Sequence, residues 1–144
     1  MSLLADTAAA VADALNGHDF GEPLTAVRGY LPEYKLADLD RLHVTVVPGN
    51  MEETPLDRSA TLLSPQVQVA VQRRMDPVDV AAGDALMDLA ENIAGALRGR
   101  RLSLADGSTA EWESAEWSTP YAPEELKSRR LFVAVLTLRY KVVQ

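Results

Sequence analysis

Two periods run through the apolar positions of this chain. Leu4, Ala8, Val11 and Leu15 recur at intervals of four, three and four residues, the spacing of one stripe on a helix spanning about Leu3 to Leu15. Ser2 stands where a cap belongs, Asp6 and Asp13 lie off the stripe, and Asn16-Gly17 ends it. A second stripe, Ala82, Leu86, Leu89, Ile93 and Leu97, has Asp84, Asp88 and Glu91 on its wet side. Asp76 is the expected cap of that helix, Pro77 its first residue and Gly99 its stop, which gives a length of about 33 Å at ~1.5 Å per residue.

Alternation by two marks the strands. In Gln66-Val67-Gln68-Val69-Ala70-Val71-Gln72 the valines point one way and Gln66, Gln68 and Gln72 the other. Leu42 to Val47 is β-branched and closes at Pro48-Gly49, and a short strand around Thr25 to Leu31 precedes it. Ala110 to Ser118 follows the Asp106-Gly107 turn. The last strand, Leu131 to Val142, is apolar at every even position, whereas its odd positions turn polar at Thr137, Arg139 and Lys141. Val133 and Val135 predict that its first half is covered on both faces, by a loop or a neighbouring chain on the second. Glu33 to Arg41, Asn50 to Ala60 and Ser118 to Arg130 read as polar connections. The order α-β-β-β-α-β-β predicts a single α+β domain over residues 1–144. Its mostly antiparallel sheet has four to five strands, with two helices packed on one face.

Several positions are surplus to such a core. Three glutamines on one sheet face are either solvated or covered by another chain, where each amide must find partners. Trp112 and Trp117 are five residues apart, so a regular strand sends them to opposite faces. Either a bulge re-aims one, or Trp117 is a contact with another protein. Arg73-Arg74 and Arg98/Arg100/Arg101 end a strand and a helix, or meet a phosphate or an acidic partner. The candidate protein-contact residues are therefore Gln66, Gln68, Gln72, Arg73, Arg74, Trp117, Glu52, Glu53 and Arg139.

Composition narrows the classes. The 144 residues hold 21 acids against 14 bases, a net charge of −7, which disfavours sequence-specific nucleic-acid binding through phosphates. No cysteine is present, so disulfides and thiolate chemistry are excluded. The first residues lack a basic leader, and no apolar run approaches the ~18 residues of a membrane span; the expectation is a protein kept in the cytoplasm and not secreted. His18 and His43 have no metal-ligand spacing, and Glu52-Glu53 and Glu124-Glu125 are adjacent without being convergent. There is no phosphate-binding glycine motif. The sequence nominates no catalytic residue, metal or cofactor, and a non-enzymatic role is expected.

Val27-Arg28-Gly29-Tyr30-Leu31-Pro32, Leu42 through Pro48, Gln66 through Arg74 and Phe132 through Tyr140 together resemble the tail-terminator family of phage and prophage proteins. The resemblance covers nearly the whole chain through strand patterns. It implies a subunit of a homo-oligomeric ring, commonly a hexamer, that caps the tail tube, stops its polymerisation and presents a joining surface to the head-completion or connector protein. Its partners would be itself, the tail tube protein and the connector. Its place would be the host cytoplasm during assembly and then the virion tail. An acidic lumen wall would let DNA pass without sticking. A head–tail joining or neck protein and a protein-binding adaptor domain are the alternatives.

Overall fold

The first helix, α1 (Leu3–Asn16), starts where the sequence predicts. The Ser2 hydroxyl accepts from the Ala5 amide at 3.2 Å, satisfying one of the donors a helix start leaves open. The structure is a computed structural model that describes residues 2–30, 40–119 and 122–144. Asn16 then does more than end the helix. Its side-chain Oδ1 accepts from the Ala26 amide at 2.7 Å, and its Nδ2 donates to the Ala26 carbonyl at 3.0 Å. A single amide thus pairs with a strand residue as a neighbouring strand would, and it ties α1 to β1 (Ala26–Arg28). This strand is shorter than the predicted Thr25 to Leu31, and Leu31 lies outside the described residues. So does most of the Glu33 to Arg41 connection.

β2 runs from His43 to Pro55 and β3 from Thr61 to Arg74. Both overrun the predicted boundaries. Pro48-Gly49 does not stop β2, because the strand bulges between Pro48 and Met51 and re-pairs from Met51↔Pro65 to Pro55↔Thr61. Beyond Val46 no strand lies on its outer side among the described residues, so a proline there forfeits no ladder bond. Gly49 is needed for close approach, since a Cβ would sit 3.2 Å from the Gln66 carbonyl oxygen. The expected loop Asn50 to Ala60 is therefore mostly strand, with a turn only across residues 56–60.

The second helix, α2 (Val80–Leu97), is capped by Asp79, not Asp76. Asp76 instead accepts from the Val78 amide at 3.1 Å, forming a turn that competes with helix and delays the start. The helix is about 27 Å long at ~1.5 Å per residue. β4 (Arg101–Ser103) and β5 (Thr109–Thr119) follow, with α3 (Pro123–Arg129) inside the expected second connection and β6 (Leu131–Val143) closing the chain.

The sheet has six strands in the order β1-β2-β3-β6-β5-β4. All neighbours are antiparallel except β1 and β2, which are parallel. The predicted mostly antiparallel sheet of four to five strands with two helices thus becomes, among the described residues, a mixed six-stranded sheet and three helices. Short edge strands and a one-turn-and-more helix leave too little periodicity to be read.

Helices α1 and α2 contact one face and each other. The core between them holds Val11, Leu15, Val46, Val69, Leu89, Ile93, Leu97, Leu136 and Leu138. Each fully buried aliphatic side chain of this kind contributes about 1.5–3 kcal/mol. On the far face Thr45, Val47, Ala70 and Gln72 are also buried. The far face is thus covered within one chain at these four positions. Val133 and Val135 are half-buried.

Candidate assembly surface

Eight of the nine candidate contact residues fall into three places, and the ninth, Trp117, faces the core. Gln68 pairs in register with Val47 and with Thr137, and Thr137 pairs with Glu116. One row along, Gln66 pairs with Arg139 and Arg139 with Ser114. Paired residues share a face, so Gln66, Gln68 and Arg139 form one half-exposed polar band across β3, β6 and β5 on the side away from α1 and α2. Lys141 extends the band and lies 3.8 Å from Glu113. Gln72 is on the same face but only 8% exposed, with its Oε1 buried and unpartnered.

Trp117 is not on that face. The β5 ladder slips between Trp112 and Ser114, leaving Glu113 as the extra residue. Trp112 then pairs with Tyr140 and Trp117 with Leu136, both on the core side. The bulge re-aims the tryptophans to one face, where each is half-buried against the core. Arg73 and Arg74 are exposed at the end of β3, and Arg74 lies 3.4 Å from Asp40.

The third place is the arm formed by the outer halves of β2 and β3. Glu52 and Glu53 are exposed on it, opposite Ser64 and Leu63. Its tip is ordered by Asp57, whose Oδ1 accepts from the Ser59 amide at 2.8 Å and from its hydroxyl at 3.0 Å. The Ser59 amide above all, then its hydroxyl, holds the Asp57 carboxyl below its ordinary value. Leu56 beside it is 54% exposed. Sequence reasoning missed the arm, because Pro48-Gly49 reads as a stop.

The chemistry elsewhere is sparse. Among the described residues, no group of three or more His, Asp or Glu gathers as a metal site. An open cleft of about 680 Å³ lies between His18, Asp19 and Phe20 and the end of α2 at Glu91 and Arg98. His18 meets Phe20 with the rings tilted by 55° and their centroids 4.5 Å apart, and among the described residues no serine, threonine or cysteine lines the cleft. Among the described residues no helix is long and apolar enough to cross a membrane.

With this geometry in hand, comparison with solved structures gives a clear likeness. A chain in the structure of the virion of native gene transfer agent (GTA) particle superposes with a TM-score of 0.57. The two chains share the fold. The match covers 95% of this chain and 94% of that chain at 19% sequence identity. No family model matches the sequence, and no curated protein matches it.

Proposed function

We propose that this chain is a structural subunit of a phage-like virion. More narrowly, it is a tail terminator that caps the tail tube, stops its growth and offers a joining surface to the head connector. The observation that carries this reading is the end-to-end fold likeness to a virion-particle chain. That likeness agrees with the strand patterns of Gln66 to Arg74 and Phe132 to Tyr140. The subunit acts as a homo-oligomer. Six chains of 15.6 kDa would form a closed ring of about 94 kDa. Its partners are the tail tube protein and the connector, with assembly in the host cytoplasm and residence in the virion tail. Net charge supports the role, because a wall carrying an excess of acids repels DNA phosphates passing through a lumen. The role requires no catalysis, metal or cofactor.

Electron microscopy of a lysate lacking this protein tests the proposal. Overlong or headless tails are expected. Tails of normal length beside unjoined filled heads would move the chain to the neck, and normal virions would overturn the reading.

A further inference from the structure

The sheet ends differently on its two sides. At one side β1 flanks β2 only across Val44–Val46. From Val47 to Pro55 the outer edge of β2 faces no strand among the described residues. This stretch belongs to the arm whose exposed Glu52, Glu53 and Asp57 outnumber Arg58. At the opposite side, the corner leading from α2 into β4 exposes Arg98, Arg100 and Arg101. Arg101 reaches Glu111 at 3.4 Å. Among the described residues Arg98 and Arg100 form no ion pair, and neither do Glu52 and Glu53.

No ion pair joins the two charge sets among the described residues, and along the sheet they lie four strands apart. Opposite charges at opposite edges of one sheet are the arrangement of a head-to-tail contact, in which one surface meets a different surface of the next copy. We infer that the acidic arm of one copy docks on the Arg98–Arg100–Arg101 corner of the next. The inference rests on the reading of the chain as a homo-oligomer and names the two surfaces that make it. Exposed pairs are individually weak. The charges accordingly choose partner and orientation, while the exposed Leu56 supplies apolar contact. Such a contact repeats around a ring, because each copy presents both halves.

Charge reversal tests it on the full chain. An E52K/E53K variant and an R98E/R100E variant are each expected to fall towards the mass of a single chain in size-exclusion light scattering. Mixing the two, or joining all four substitutions in one chain, is expected to restore assembly, and high salt to weaken it. The four-substitution chain also controls for folding. Single-edge variants that assemble like the parent would overturn the docking and leave the ring reading intact. So would a combined variant that stays unassembled while folded. Loss of binding to tail tubes alone would assign the arm to the tube protein and overturn the inference. A parent chain that remains monomeric at every concentration would overturn the ring reading with it.

Discussion

Replacing Tyr140 with phenylalanine should stabilise this protein. Tyr140 lies on β6 facing α1 and α2 and is 0% exposed, and its hydroxyl is buried without a hydrogen-bond partner. Burial pushes the phenol well above its ordinary pKa, so the group is neutral at any working pH and contributes no charge. Directly across the ladder stands Trp112, whose indole Nε1 is also buried and unpartnered. A hydroxyl withdrawn from water with no replacement bond costs about 1–3 kcal/mol. Phenylalanine keeps the ring and its packing and removes only that oxygen. Tyr140→Phe should therefore raise stability by about 1–3 kcal/mol, roughly 3 °C in Tm for each kcal/mol in a chain of this size. Urea unfolding at fixed protein concentration should show a higher midpoint with an unchanged slope. A loss of 1 kcal/mol or more would refute the reasoning. It would mean that the hydroxyl is bonded, most simply through a water shared with the Trp112 indole, which the substitution would strand.

Two further outcomes follow from local geometry. Asn16→Ala removes both bonds to Ala26 and should cost about 1–3 kcal/mol. Amide hydrogen exchange should accelerate at Val27 and Arg28 before the rest of the sheet, and uniform acceleration would contradict a local tether. At low pH the two aspartate-capped turns should loosen. The Ser59 amide chiefly lowers the Asp57 pKa, and the Ser108 hydroxyl chiefly lowers that of Asp106, both from 3.8. A carboxyl with a lowered folded-state pKa stabilises above the unfolded value and loses that contribution as pH falls through the folded one. Amide resonances of Ser59 and Ser108 should therefore titrate with midpoints below 3.8; midpoints at or above it would refute the assignment.

What the sequence determined by itself was the periodic part. The Leu4–Leu15 stripe, the Val67–Val69–Val71 alternation and the even positions of Leu131 to Val142 each carry a full repeat of apolar residues. Their burial follows from that repeat alone. The Gln66, Gln68 and Arg139 face was legible for the same reason. Tertiary structure decided everything that depends on what lies alongside. Pro48-Gly49 stops a strand only if its N–H edge must pair, and among the described residues no strand lies on that edge. Asp79 caps α2 in place of Asp76 because the Asp79 amide bonds the Asp76 carbonyl and closes a turn ahead of the helix. Trp112 and Trp117 share a face because Glu113 is extruded from the β5–β6 ladder, an event set by the register of a strand distant in sequence. The three-residue strands β1 and β4 exist only because β2 and β5 offer them an edge. So it is with the acidic arm and the basic corner. Each is visible as a charge cluster, but only the strand order sets them four strands apart in one sheet.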